Sequence, residues 1–539
     1  MVHEQFTESQ IKILEHFVTN ITGDVFVLRN LPEVVKGALF SRYSRSTLGL
    51  RSLLLKEFIL NEDTAFASIA GKFEESDQMT AIQKAQSFYD RILDGYGDDS
   101  IGELGGAHLA VENISMLAAK VIQDCRIGGS PLEKSTRYIY FDQKVGGEYL
   151  FYREPVLMTS AYRDLYLETC NHLFDTYNKC IPVLTAKIEQ GFPKDPAISK
   201  GAYTAALRAK VLDCLRGLLP TAALTNMGVF GNGRFYESLL QKLNCHDLSE
   251  MQEIGKRACS ELGKVIPSFI RRADPLHKHQ QSFAKFLETM GAELGQFVKQ
   301  HENRVGRFEK PGAKLVQYDK DAPAKVGGAL LFHGTQCSLR ELQDYCASLP
   351  EGELERLFDA AALPRENRRH KSPRALEHAN FTFEILADFG VYRDLQRHRM
   401  LTQERQRLTC DFGYYVPPEI VGMDIEGEYV GAMEEARKAY EMIASTLPGE
   451  AQYVVPMAYN IHWYFQVNLR GLQWMCELRS QAAGHPSYRL LAQEMVKQVC
   501  QAFPIFERFF KFVDFDGYEL GRLGAEIRQE QKMGSSKSV

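Results

Sequence analysis

One stretch concentrates the side chains best suited to holding an anion: Gln396-Arg397-His398-Arg399-Met400-Leu401-Thr402-Gln403-Glu404-Arg405-Gln406-Arg407. Five cationic or potentially cationic groups and one carboxylate fall within these twelve residues. A guanidinium offers a fixed fork of donors suited to phosphates and to the imide edge of a pyrimidine or flavin ring. The apolar run Phe381 to Ala387 lies just upstream and reads as core. A cluster that leaves a buried element can be held still, as anion recognition requires. The competing reading is a solvated face in which Asp394 and Glu404 pair the cations.

Arginines recur in comparable settings. Asn468-Leu469-Arg470 is followed, nine residues after Arg470, by Arg479. Glu133-Lys134-Ser135-Thr136-Arg137-Tyr138 places a carboxylate, a hydroxyl and a guanidinium at alternate positions, and Arg216 precedes Pro220 by four residues. Asp99-Ser100 stands just before Glu103. Each has a plainer reading beside it. Ser135 suits a capped turn, and Arg470 and Arg479 suit the solvated edge of a helix whose apolar face carries Leu469, Leu472, Met475 and Leu478. His370 and Ser372 suit caps before a helix, and His485 a structural role.

The elements that must position these groups form two related halves. Leu31 to Phe40 resembles Ala322 to Phe332, and each is followed by a Leu-Arg-x-Leu segment, at Leu50 and at Leu339. Pro220 precedes Asn232 by twelve residues, as Pro456 precedes Asn468. Between these landmarks each half carries a Glu-led apolar pattern, read as helix, that runs into an Arg-bearing loop, from Glu103 to Arg126 and from Glu377 to Arg397. The matches come in the same order, as in a tandem duplication. The expected domains are 1–310, with a helical insert at about 149–210, and 311–539, which carries Arg-His-Arg.

Helical periodicity marks Thr7–Thr19, Ala81–Leu93, Ala107–Gln123, Met251–Val265, Gln281–Lys299, Tyr429–Ala444 and Gln493–Phe510. Val25–Leu28, Tyr138–Phe141 and Phe412–Val416 read as strands. The expected class is α+β, helix-rich with small antiparallel sheets.

Arg397-His398-Arg399 in this setting resembles the signature of the flavin-dependent thymidylate synthases, an Arg-His-Arg followed by Glu-x-Ser-x-Arg. The resemblance includes Leu376 to Phe383 and Asn468 to Arg479, covers roughly 370–500 well, and covers the first half more faintly. The second half departs from it: Glu404 is not followed by the serine and arginine in register, and Gln452 stands where the phosphate-binding arginine belongs. The first half has those pieces in Glu133, Ser135, Arg137 and Arg216. It has Asp124-Cys125-Arg126 in place of Arg-His-Arg, and Leu243 in place of Arg479.

The losses are complementary, so the resemblance implies one composite site. Glu133, Ser135, Arg137 and Arg216 would hold the substrate dUMP, with Arg479 on its uracil as the catalytic group. Arg397, His398, Arg399, Glu404, Asn468, Arg470 and Ser100 would face FAD. The implied reaction is methylation of dUMP to dTMP with 5,10-methylenetetrahydrofolate and NADPH, needing no enzyme nucleophile. The implied assembly is a homodimer that mimics the family's tetramer.

Composition bounds the alternatives. A net charge of −5 and pI near 6.3 give no global attraction to nucleic acid. The 11 cysteines include no CxxC pair and no Cys/His spacing suited to a metal such as zinc. No GxxxxGK[ST] loop is present, and Gly228 to Gly233 lacks the dinucleotide-binding context. No apolar run reaches the roughly eighteen residues that a membrane span needs, and the polar N-terminus lacks a secretory pattern. A cytoplasmic enzyme is therefore expected. Two other readings remain: a catalytically inactive flavin- or nucleotide-binding relative, and an RNA-binding or RNA uridine-methylating protein.

Overall fold

The structure is a computed structural model, and it describes residues 5–44, 46–59, 102–301, 306 and 310–536. Ser100 and the expected helix Ala81–Leu93 lie outside the described residues. The elements, in chain order, begin with α1 (Glu8–Phe17), α2 (Glu33–Tyr43), β1 (Gly106–Ser115), α3 (Met116–Gln123), β2 (Gly129–Glu133) and the short hairpin β3 (Lys144–Val145) and β4 (Glu148–Tyr149). There follow α4 (Arg163–Gly191), α5 (Lys200–Leu215), β5 (Leu224–Asn232), α6 (Gly233–Asn244), α7 (Ser249–Leu262) and α8 (Lys278–His301). The second half contributes β6 (Gly312–Tyr318), α9 (Ala322–Phe332), α10 (Leu339–Ser348), β7 (Asn380–Asp388), α11 (Phe389–Leu395), β8 (Thr402–Arg405) and α12 (Glu426–Ala444). It ends with β9 (Asn460–Asn468), α13 (Leu469–Arg479), α14 (Pro486–Ala502) and α15 (Leu523–Ser536). The protein is helix-rich with small antiparallel sheets, as expected.

The duplication is written into the topology. The first half builds a sheet in the order β1-β5-β2, and the second half builds β6-β7-β9-β8. Taking β7, β9 and β8 as the counterparts of β1, β5 and β2, the order repeats. In both copies the two long strands run directly into helices: β1 into α3 and β5 into α6, then β7 into α11 and β9 into α13. The junction chemistry repeats as well. Asn232 and Asn468 cap α6 and α13, accepting at Oδ1 from Phe235 N and Gly471 N, each at 2.8 Å. Ser115 Oγ accepts from Ala118 N at the start of α3, and Asp388 Oδ1 from Val391 N at the start of α11, each at 2.9 Å. A side-chain oxygen that satisfies a first-turn N–H is what stops a strand and starts a helix at that point.

These junctions correct the expectation of helix from Glu103 and from Glu377. Ala107 to Ser115 and Asn380 to Asp388 are strands, and only the residues after each cap are helical. The Phe381 to Ala387 run is core, as read: Phe381, Phe383 and Ile385 are fully buried. It is the strand between β6 and β9 rather than a helix. Tyr138 to Phe141 is a turn, and Phe412 to Val416 contributes a single bridge, Tyr414 to Tyr459. Val25 to Leu28 likewise makes one bridge, Val18 to Leu28. Pro504 ends the last helical expectation early, since Pro cannot continue an α-helix and a 3-10 turn follows. The insert is helical, dominated by the 29-residue α4 and by α5.

Compact packing follows a division different from the repeat boundary. One unit comprises Met1–Ile114, Val121–Glu133 and Thr225–Val305, and the other Ser115–Lys120, Lys134–Leu224 and Gly306–Val539. The second unit therefore contains α4, α5 and the Ser135–Arg137 turn of the first half together with the whole described second half.

Candidate functional site

Within the second unit, four segments of chain bring their arginines to one buried carboxylate. Asp394 sits near the end of α11 and is 8% exposed. Burial alone would raise its pKa. Four guanidinia outweigh that, Arg216 first and then Arg397, Arg137 and Arg479, and they hold the carboxyl well below the usual range. Arg137 comes from the turn after β2, Arg216 from the 3-10 turn after α5, Arg397 from the loop after α11, and Arg479 from the last residue of α13. Arg137 and Arg216 of the first half thus act on the same carboxylate as Arg397 and Arg479 of the second.

Arg137 is buried and almost fully occupied. Its Nε and Nη2 donate to Asp213 Oδ1 and Oδ2 at 2.6 and 2.7 Å, its Nη1 to Tyr488 Oη at 3.0 Å, and its Nη2 to Ala483 O at 3.3 Å. Burial pulls Asp213 upward, but Arg137 more than offsets it, so Asp213 stays ionised. Ser135 Oγ accepts from Arg137 N at 3.2 Å, the local hydroxyl turn that fixes the backbone of this arginine.

Arg216 is only 4% exposed. Its Nη1 donates to Asp394 Oδ2 at 3.0 Å, while Nη2, equally buried, has no hydrogen-bond partner among the described residues. The guanidinium lies across Gly390, where a Cβ would come within 3.0 Å of Nη2 and 3.1 Å of Nε. Nearby Asp388 is pushed up to about 6, because burial outweighs the pull of Arg216 and of Val391 N–H.

Arg479 reaches the Arg-His-Arg loop directly: its Nε donates to His398 Nε2 at 2.9 Å. An arginine N–H can only donate, so His398 Nε2 carries the lone pair and the ring proton resides on Nδ1. Burial first, then the Arg479 charge, hold His398 well below its ordinary pKa and therefore neutral. Tyr488 lies between the two halves of the cluster, with its ring 5.4 Å from Arg479 and 5.7 Å from Arg137. His485 is buried and caps α14. Its Nδ1 accepts from Ser487 N at 3.2 Å, so its Nε2 donates to Asp213 O at 3.1 Å. Burial first, then Arg216, bring it down to about 3. That is the structural role expected of it.

The other expected residues stand apart from the cluster, and Arg397 reaches Asp394 only from its exposed edge. Arg397 and Arg399 are exposed, and Glu404 is exposed on β8, opposite Tyr464. Asn468 spends its Oδ1 on the α13 cap. Arg470 donates from Nη1 to Glu377 Oε1 at 2.6 Å and from Nε to Ser372 O at 2.8 Å. The first half keeps the counterpart pair, Arg234 Nη1 to Glu103 Oε1 at 2.7 Å, which marks it as part of the duplicated scaffold. Glu133 belongs to the first unit, where Gln123 Nε2 donates to its Oε2 at 3.0 Å.

The positions at which each half departs from the resemblance are structural. Leu243 is fully buried, and Gln452 is buried with its side chain bonded to Leu408 N and Gly449 O. Sequence reasoning missed Asp213, Asp388 and Tyr488, and gave Asp394 only as a surface partner. Asp213 could have been found three residues before Arg216, at the spacing of neighbours on one helix face. Tyr488 carries no such signal.

A cleft of about 610 Å³ opens beside Glu377, lined also by His378, Arg374, His333, Phe332 and Leu339. Ser372, adjoining this wall in sequence, is 3% exposed, and its Oγ has no partner. Arg374 on the cleft wall, the Ser372 hydroxyl and, separately, the exposed Arg397 and Arg399 are donors of the kind that a phosphate-bearing flavin needs.

Comparison with known proteins agrees with the paired architecture. A UPF0159 protein of Chlamydia muridarum (strain MoPn / Nigg) is 54% identical over 526 residues, covering 97% of this chain and 98% of that protein. A UPF0159 protein of Thermoplasma acidophilum is 33% identical over 528 residues, 93% of this chain and 99% of that protein. A flavin-dependent thymidylate synthase of Clostridium tetani (strain Massachusetts / E88) is 33% identical over 162 residues, 25% of this chain and 63% of that protein. A family profile described as thymidylate synthase complementing protein (Thy1) matches twice, at residues 60–268 and 316–505, one segment for each topological repeat. With both repeats matched in this way, the chain belongs to the Thy1 thymidylate synthase complementing family.

Proposed function

We propose that the chain is a flavin-dependent thymidylate synthase whose nucleotide site is the arginine cluster around Asp394. The observation that carries this reading is the buried, unpartnered Arg216 Nη2 at the centre of arginines drawn from both repeats. A buried donor without a partner costs on the order of 1–3 kcal/mol, and a ligand oxygen removes that cost. Four guanidinia against Asp394, Asp213 and Asp388, the last with a pKa of about 6 and so mostly ionised at pH 7, leave an excess of about one positive charge. That excess has the sign that attracts the phosphate of a nucleoside monophosphate, which carries about −1.5 to −2 at pH 7.

Arg216 offers the open donor for the phosphate, and Arg137 acts more as a brace, since most of its N–H groups are already used. Arg479 would stabilise negative charge on the uracil imide as C5 becomes nucleophilic. Neutral His398 holds Arg479 from one side without competing for the anion. Exposed Arg397 and Arg399 would take the FAD phosphates. Arg470 and Arg479 lie at opposite ends of α13, about 14 Å apart at 1.5 Å per residue, a distance that an extended dinucleotide spans. When bound, the flavin supplies the hydride that completes the methyl group. NADPH and 5,10-methylenetetrahydrofolate would be co-substrates.

The saturation of Arg137 favours one second reading, a relative that binds flavin and nucleotide without turning over. Two measurements decide. Purified protein is expected to carry yellow flavin, and the gene is expected to rescue a thymidine-requiring bacterium, whereas an Arg479→Ala variant should keep the flavin and fail to rescue. Flavin without rescue by well-expressed wild-type protein would establish the silent relative, and absence of flavin would remove both readings.

A further inference from the structure

Helix α8 is 24 residues long and, among its described residues, buries only Gln280. Its first turns are seated: Gln280 Nε2 donates to Gln241 O at 3.3 Å and to Cys245 Sγ at 3.1 Å. The rest projects large apolar groups into solvent, with Phe286 56%, Leu294 58%, Phe297 62% and Val298 53% exposed. The seam residues Phe283, Leu287, Met290, Leu294, Phe297 and His301 follow intervals of 4, 3, 4, 3 and 4. That alternation is the heptad pattern, whose complement is another helix with the same repeat. The helix lies in the segment between residues 268 and 316, outside both family-matched segments.

We infer that α8 is a self-association element that pairs with α8 of a second copy of this chain in an antiparallel two-helix seam. Setting Leu287 against Met290 of the second copy places Phe283 against Leu294, and the small residues Ala284 and Gly291 against each other beside the seam. The same contacts recur on the other side of the two-fold axis, as an isologous dimer requires. A Cβ at Gly291 or Gly295 would meet nothing within 4 Å among the described residues. Six seam residues with Phe286 and Val298 on each helix, each giving up half of a large side chain's roughly 150–250 Å², would remove on the order of 1,000 Å². That is the lower limit for a specific interface. The flanking charges, Lys285, Glu288, Glu293 and Lys299, balance. With Lys278 included the helix carries an excess of one lysine over its two glutamates, short of the strongly basic polar face of a lipid-facing helix.

Sedimentation velocity of the full-length protein from about 1 to 50 µM, the range in which marginal interfaces assemble, tests the inference. Wild type is expected to run as two chains. A Leu294→Glu, Phe297→Glu variant should run as one chain, and Lys285→Ala, on the polar face, should remain paired. Both variants alter exposed positions, and an unchanged thermal midpoint confirms that they fold. A wild-type monomer throughout would overturn the inference, with another segment or partner covering the seam. A double variant that still pairs would overturn it equally, by placing the interface elsewhere.

Discussion

At the scale of single residues, the site is defined by how its cations are neutralised. Asp213 and Asp394 each answer a guanidinium from another element, and Arg216 keeps a buried N–H with no partner among the described residues. Gly390 is the residue that makes room for this. A Gly390→Ala side chain would sit 3.0 Å from Arg216 Nη2 and 2.9 Å from Asp388 Oδ1, so the guanidinium must shift. The expected result is a loss of about 1–3 kcal/mol of stability from overpacking, together with weaker dUMP binding by calorimetry. Tyr488 couples the repeats. Tyr488→Phe keeps the ring between Arg137 and Arg479 but removes the hydroxyl that Arg137 Nη1 reaches at 3.0 Å. It is expected to raise KM for dUMP several-fold with kcat little changed, whereas Tyr488→Leu should lower both.

At the scale of elements, duplicated capped helices aim these groups. Asn468→Ala should cost about 1 kcal/mol, as for other lost N-caps, and should impair nucleotide binding because α13 carries Arg479. Asn232→Ala caps the equivalent α6 and should cost a similar amount in thermal unfolding while leaving nucleotide binding intact, since Leu243 stands at the matching position. The contrast also shows what was legible in the sequence. Asn-x-Arg, Arg479, Arg137 and Arg216 could be picked out because guanidinium chemistry and spacing survive in one dimension, and the structure assembles three of these arginines. The strands could not: β1 and β7 are apolar runs that feed helices, and period alone did not separate Ala107–Ser115 from Met116–Gln123. The boundary was written in Ser115 and Asp388, polar residues three positions before the N–H groups they cap. The carboxylates Asp213 and Asp394 were obscure because a charged residue in a sequence reads as solvated until burial and four converging cations are seen.

At the scale of the whole molecule, these buried groups give the fold a defined pH dependence. His485, brought down to about 3, and His398, also depressed, are neutral when folded and titrate near 6.5 when unfolded. Their contribution is present above about pH 6.5 and is lost as pH falls, by about 1.4 kcal/mol per pH unit for each histidine. Asp388 works in the opposite sense. Its folded pKa of about 6 exceeds the unfolded 3.8, so its contribution is present below 3.8 and is lost as pH rises through 6. Between about pH 6 and 4 it offsets one histidine. Asp388→Asn keeps a capping oxygen and removes the titration, so its thermal midpoint should fall more steeply than wild type from pH 6 to 4. Parallel curves would mean that Asp388 does not titrate there.

The central claim is that arginines from both repeats form one site for a nucleoside monophosphate, and calorimetric titration of dUMP and of deoxyuridine tests it most directly. Wild type is expected to prefer dUMP by at least about tenfold, as a charge-assisted phosphate contact of 1.5–3 kcal/mol requires. Arg216→Lys should erase most of that preference, and Arg479→Gln should weaken both ligands. Folded variants that bind both ligands as wild type does would contradict the account.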